Sequence, residues 1–106
     1  MTYANLRAAL KALCPDTYRR AAPAGKTRYI VTHRYGGSWI IGDGVNLRRL
    51  PRVQIDVYWQ VEDDALPDLV CQLLTALDLG YDLVDEIYDE DLALFRLILQ
   101  LEVDGS

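Results

Sequence analysis

The sequence predicts an α+β domain, an antiparallel β-sheet with two α-helices packed on one face, in the order α-β-β-β-α-β-β. Three observations predict it. Residues 3–13 and 66–79 repeat apolar side chains at helical spacing, whereas residues 52–61 and 93–103 alternate with a period of two. The links between strand-like runs are mostly of hairpin length, and no repeat, low-complexity tract or linker interrupts them. With 106 residues, the chain fits one domain, 1–106, built on one core.

The first helix places Tyr3, Leu6, Leu10 and Leu13 on one stripe, with Thr2 as N-cap and four alanines adding helix propensity. Cys14-Pro15 ends it, because the residue before proline is pushed out of the α region. Residues 16–27 read as a loop holding a short edge strand at Thr17–Ala21. Arg28–Tyr35 is β-branched and aromatic, hence a strand. Gly36-Gly37 then signals a hairpin turn and Ser38–Ile41 the returning strand, with open loop from Gly42 to Pro51. The stretch Gly36–Leu50 is expected to be weakly anchored in the isolated subunit and to order on assembly.

In residues 52–61, Val53, Ile55, Val57, Trp59 and Val61 form one apolar face. Glu62-Asp63-Asp64 suits the positive end of a helix, and Pro67 its first turn. That helix carries Leu66, Leu69, Val70, Leu73, Leu74 and Leu77, and Gly80 closes it. Tyr81–Tyr88 is a less regular strand, interrupted by acids. In Ala93–Val103, Phe95, Leu97, Leu99 and Leu101 share a face. The expected core sets Leu69, Leu73 and Leu77 against Val53, Ile55, Val57, Phe95, Leu97 and Leu99.

The composition, 51% apolar and 25% charged, points to a small cytoplasmic domain without catalytic function. No apolar run approaches the roughly 18 residues of a membrane span. Arg7 and Lys11 lie in a periodic segment without the apolar region of a signal peptide. The net charge of −5 conceals an asymmetry: residues 1–53 hold ten basic residues and two acids, residues 54–106 one basic residue and fourteen acids. Either the two halves face each other and neutralise, or the molecule has a basic and an acidic side suited to head-to-tail association.

Each motif with chemical potential has a plainer explanation. Gly42-x-Gly44 lacks a third glycine at Leu47 and a following helix, so it reads as a turn and not as a phosphate loop. The acidic run at 85–91 lacks the spacing that wraps a loop round a cation, and reads as a solvated turn or a face for a basic partner. His33 has no nucleophile and carboxylate in a fixed relation to it. Cys14 and Cys71 read as reduced, partly buried thiols. Arg48, Arg49 and Arg52, with Arg19 and Arg20, could touch phosphate, but neither helix is basic on its polar face, which argues against specific nucleic-acid binding. Trp39-Ile40-Ile41 either tucks onto the core or awaits a partner surface.

The segment Arg52-Val53-Gln54-Ile55-Asp56-Val57-Tyr58-Trp59, its acidic cap and the helix after it resemble the tail-terminator proteins of long-tailed bacteriophages, the minor tail protein U-like or tail-completion family. The N-terminal helix, Ala22-Pro23 before Arg28–Val31, and the pair Tyr81-Asp82 and Phe95-Arg96 to Glu102 are similar in order and spacing. The resemblance implies a structural subunit of the virion tail, assembled in the bacterial host cytoplasm. It implies a ring of copies, commonly a hexamer, that caps the tail tube, stops its polymerisation and docks the head connector. Such proteins can be monomeric until they meet the tube. The resemblance brings no catalytic residue, cofactor or metal, and no membrane or specific nucleic-acid partner. The expected contacts, to neighbouring subunits or the tube, are Arg19, Arg20, Trp39, Arg48, Arg49 and Arg52 against Asp85, Glu86, Asp89, Glu90 and Asp91. Whether the arginines meet a neighbour or the DNA lumen stays open. An alternative is a small acidic binding module that regulates a host partner; a metal-dependent hydrolase built on the acidic cluster ranks below both.

Overall fold

A computed structural model describes the backbone of residues 1–41 and 47–103 and the side chains of residues 1–35 and 51–103. Its elements are α1 (Tyr3–Leu13), β1 (Thr17–Arg19), β2 (Tyr29–Ile41), β3 (Leu47–Trp59), α2 (Leu66–Ala76), β4 (Tyr81–Asp89) and β5 (Leu94–Glu102). The strands form one sheet in the order β1-β2-β3-β5-β4. The α+β class and the element order are as expected. The sheet is mixed, however: β2, β3, β5 and β4 are antiparallel neighbours, while β1 runs parallel to β2. Residues 20–28 carry the chain back to the starting end before β2 begins, and that return makes the pair parallel.

Both helices lie on one face. In α1, Asn5 N–H donates to Thr2 Oγ1 at 3.1 Å, and Tyr3, Leu6 and Leu10 are buried. In α2, Leu66 N–H donates to Asp64 Oδ1 at 2.9 Å, so this carboxylate does the work of a cap that Ala65 lacks. The helix turns over at Asp78, which adopts a left-handed φ of 57°, and not at Gly80. Aspartate tolerates that region better than most residues.

The helix buries Leu66, Val70 and Leu74; the expected Leu73 and Leu77 are only partly buried, and Leu69 is exposed. The buried stripe is thus offset by about 60° from the expected one. Six apolar positions span a wider arc than the sheet covers, and Leu69 falls on the uncovered flank. The core joins these residues to Ile30, Val53, Ile55, Val57, Trp59, Leu97, Leu99 and Leu101, with Phe95 packed at its margin. Val61 lies past the end of β3 and is exposed, so the alternation stops at Trp59.

The opposite face has no helix. A small cluster of Tyr29, Val31 and Leu94 sits there, with Tyr18, Ala22 and Tyr58 packed against it. Tyr29 and Tyr58, paired across β2 and β3, stack with ring centroids 4.5 Å apart. Asp56 is buried on this face and accepts from Arg96 Nη2 and Gln54 Nε2, both at 3.0 Å.

Gly36-Gly37 does not turn the chain. Both lie within β2, at a register irregularity between Tyr35 and Gly37, after which pairing continues from Gly37↔Pro51 to Ile41↔Leu47. The glycines serve a bulge, which draws on the same conformational freedom as a turn. Ser38–Ile41 is therefore a strand as expected, but it continues β2 and does not return against it, and Leu47–Pro51 belongs to β3 where open loop was expected; residues 42–46, including Gly42-x-Gly44, lie outside the described residues. β5 pairs with β3 only from Arg52 to Trp59, so the β2–β3 ladder continues past it as a two-stranded arm.

Candidate interaction surface

Strand order distributes the charge. The basic N-terminal half supplies α1, β1 and β2 at one edge, and the acidic half supplies β4 at the other, four strand spacings or roughly 19 Å away. Charges near the middle do pair across the halves. Arg28 Nε lies 2.8 Å from Asp64 Oδ2, and Arg52 reaches Glu102 at 3.3 Å and Asp82 at 3.6 Å. The outermost charges are too far apart to do so: Asp82 of β4 meets Arg52 and Lys26 meets Asp16 at 3.3 Å, but Arg7, Arg19 and Arg34 at one edge and Asp85 and Glu86 at the other have no ion-pair partner among the described residues.

At the basic edge, three guanidiniums converge on one ring. Tyr3 is held by a 3.0 Å hydrogen bond between its hydroxyl and that of buried Thr32. Arg7, one helical turn along α1, lies with Cζ 5.0 Å from the Tyr3 ring centroid; Arg19 of β1 and Arg34 of β2 lie at 5.7 and 6.0 Å. Arg19 is opposite Thr32 in the β1–β2 register, and Arg34 is two residues further along, so all share the helix side. No carboxylate among the described residues lies within ion-pair distance of any of the three. Beside them, Ala4, Arg7, Ala8, Lys11, Thr17, Tyr18 and Arg19 line a groove of about 440 Å³ between α1 and β1.

At the acidic edge, β4 is exposed from Asp82 to Tyr88. Leu83, Val84, Ile87 and Tyr88 are uncovered along with the carboxylates, as is Leu92 in the turn to β5. Two acids serve the backbone: Asp85 Oδ1 accepts from Glu86 N–H at 2.8 Å beside a register irregularity, and Asp89 Oδ1 accepts from Leu92 N–H at 3.1 Å. No basic side chain among the described residues pairs with Asp85, Glu86, Asp89, Glu90 or Asp91. Glu86 and Tyr88 are opposite Leu97 and Phe95, which places them on the helix side of the sheet.

The expected contact residues are thus separated into two groups. Arg19 and Arg20 lie at one edge and the five acids at the other; Arg20 takes a left-handed φ of 69° and donates its N–H to Thr32 O. Arg52 sits within the sheet, between Glu102 and Asp82. Arg48 and Arg49 belong to β3, opposite Ile40 and Trp39 in register, and the side chains of all four lie outside the described residues. Sequence reasoning missed Arg7, Arg34 and Tyr3, and its expectation that neither helix is basic on its polar face fails for α1, whose only charged residues are Arg7 and Lys11. The i, i+4 spacing of Tyr3 and Arg7 was a visible signal, but Arg34 enters only through strand pairing. His33 is half-buried near Tyr35, and both cysteines are free thiols, Cys14 buried and Cys71 partly so. Burial pushes the Cys14 thiol up. Among the described residues, no group of three His, Cys, Asp or Glu side chains could hold a metal ion.

No family model and no curated protein matches the sequence. The fold, however, matches a chain in a solved structure described as the virion of a native gene transfer agent particle. That match has a TM-score of 0.50 and 17% identity, and covers 91% of this chain and 84% of that one. This fold is used in a virion. The matched region takes in almost all of both chains, so the likeness concerns the whole architecture and not a shared fragment.

Proposed function

We propose that this protein is a virion subunit of the tail-terminator kind, which forms a ring at the head-proximal end of a tail tube, stops the tube's growth and offers the docking surface for the head connector. The observation that carries this reading is the near full-length fold match to a virion chain. The distribution of charge supports it: a cyclic ring uses heterologous contacts, in which one face meets a different face of the neighbour, and the two sheet edges are of opposite sign. The sequence resemblance supplies the place in the tail. The partners are copies of the chain, the tail tube protein and the connector proteins, and the role needs no catalytic group.

Electron microscopy of tails assembled without the protein tests the proposal. The expected result is overlong tubes without heads, restored to length by the wild-type chain. Tails of normal length joined to heads would overturn it. Reversing charge at Arg48 and Arg49 adds a finer test. If these arginines meet a neighbouring subunit, the variant fails to cosediment with tail tubes as a ring; normal ring formation assigns them to the lumen instead.

A further inference from the structure

We infer that the acidic edge of one copy, β4 and its turn to β5, docks on the basic edge of a second copy, where Arg7, Arg19 and Arg34 surround Tyr3. Glu86 and the carboxylates of the turn would occupy the arginine cluster, and β4 would lie along the groove between α1 and β1. The inference rests on the ring reading for its choice of a second copy as occupant, and it names the two surfaces that meet.

The arginine cluster is incomplete in the isolated subunit. Three guanidiniums gathered within 6.0 Å of one ring centroid repel one another, and no carboxylate of the described residues relieves them. Guanidinium is matched to planar oxyanions, which it binds through paired N–H donors. An acidic segment would complete the cluster.

The acidic edge is incomplete in a matching way. β4 is an open edge strand with exposed aliphatic side chains and neither lysine nor proline to protect it. Its carboxylates bar it from pairing with another β4, because like charges would stand opposite one another. The basic edge is barred from pairing with itself for the same reason. What both edges accept is the other, and every copy carries one of each at opposite ends of the same sheet. Such a contact is heterologous and propagates from copy to copy. Glu86 and Tyr88 face the helix side, as do Arg7 and Arg19, so a sheet continued across the contact brings acid and base to the same face.

Two double variants test the contact, each checked for an unchanged melting transition: Arg19→Glu with Arg34→Glu, and Glu86→Arg with Glu90→Arg. Sedimentation velocity of the full chain at low ionic strength, over a concentration series, should show a wild-type oligomer that dissociates as salt rises. Either variant alone should associate about tenfold more weakly or worse. Mixed in equal amounts, the two variants should associate again, since each supplies the edge the other lacks. A wild type that stays monomeric throughout, variants that associate like wild type, or a mixture that stays dissociated would each overturn the contact. If the variants form normal oligomers and still arrest tube growth, the contact fails and the terminator reading stands. If the charge-dependent association and the mixing hold while tubes grow unchecked, the terminator reading fails and the contact stands.

Discussion

The two faces of the sheet each bury one polar residue among those described, and they satisfy it differently. Thr32, beneath the helices, shares a hydrogen bond with the Tyr3 hydroxyl, a neutral contact inside an apolar layer of Leu, Ile and Val. Asp56, on the face without helices, is held by the Arg96 guanidinium and the Gln54 amide, with Gln100 Nε2 reaching Gln54 Oε1 at 3.4 Å. One face is therefore covered by helices over an apolar layer, the other by a small aromatic and aliphatic cluster beside a charge network roofed by Tyr58, whose ring lies 5.5 Å from the Arg96 guanidinium carbon. The difference shows what a helix layer supplies: where it is absent, cross-strand pairs, aromatic and polar, must cover the sheet themselves.

The largest expected effect lies under the helices. Leu74→Ala should cost about 2–5 kcal/mol, as a fully buried leucine truncated to a cavity does. Leu69→Ala, on the exposed flank of the same helix, should stay within about 1 kcal/mol. Chemical denaturation of both variants decides it, and equal losses would break the face assignment of α2.

That contrast also shows what the sequence could and could not tell. Leu66, Leu69, Val70, Leu73, Leu74 and Leu77 establish a helix and an apolar arc, but an arc wider than the contact leaves the buried stripe to be chosen by the sheet beneath it. Gly36-Gly37 identifies a place where the backbone departs from regular strand, yet turn and bulge draw on the same property of glycine. Only the partner strand distinguishes them. The alternation of 52–61 separates Asp56 from Val57 correctly, while the Arg96 that pairs with Asp56 lies 40 residues away and depends on β3 meeting β5. The edge surfaces follow the same logic. Charge asymmetry is legible from composition; its placement at opposite ends of the sheet requires the strand order.

Next in size is the open face. Asp56→Ala leaves the Arg96 guanidinium half-buried without its carboxylate. It should cost about 2–4 kcal/mol, less than a fully buried pair because Arg96 retains some contact with water. Replacing both residues by apolar ones of similar volume should recover most of that loss. If the double replacement is as damaging as the single one, this face depends on the ion pair itself and not on avoiding a stranded charge. A smaller loss, about 1–2 kcal/mol, is expected for Tyr3→Phe, which leaves the buried Thr32 hydroxyl unpaired. The same variant keeps the aromatic ring under Arg7, Arg19 and Arg34, so association should persist while stability falls.

The smallest effect is at the rim, where Arg28 clasps Asp64 through two hydrogen bonds of 2.8 and 3.2 Å. Unlike Arg96, Arg28 is about half exposed, so this pair should contribute no more than about 1 kcal/mol. The Arg28 hydrogen bonds hold the Asp64 carboxyl below its ordinary value, against the opposing pull of its burial, and the Leu66 N–H adds to the lowering. A carboxyl depressed in the folded state contributes its stability above its unfolded value, roughly 3.9, and loses it as pH falls through the lower folded value. Melting temperatures followed from neutral pH down past that range should therefore fall less steeply for Arg28→Ala than for wild type, with the two curves converging at the acid end. Parallel curves would mean that the clasp adds nothing and that Asp64 acts only as the cap of α2. A gap as large as that for Asp56→Ala would mean that exposure discounts a charge pair far less than the contrast between Arg28 and Arg96 implies.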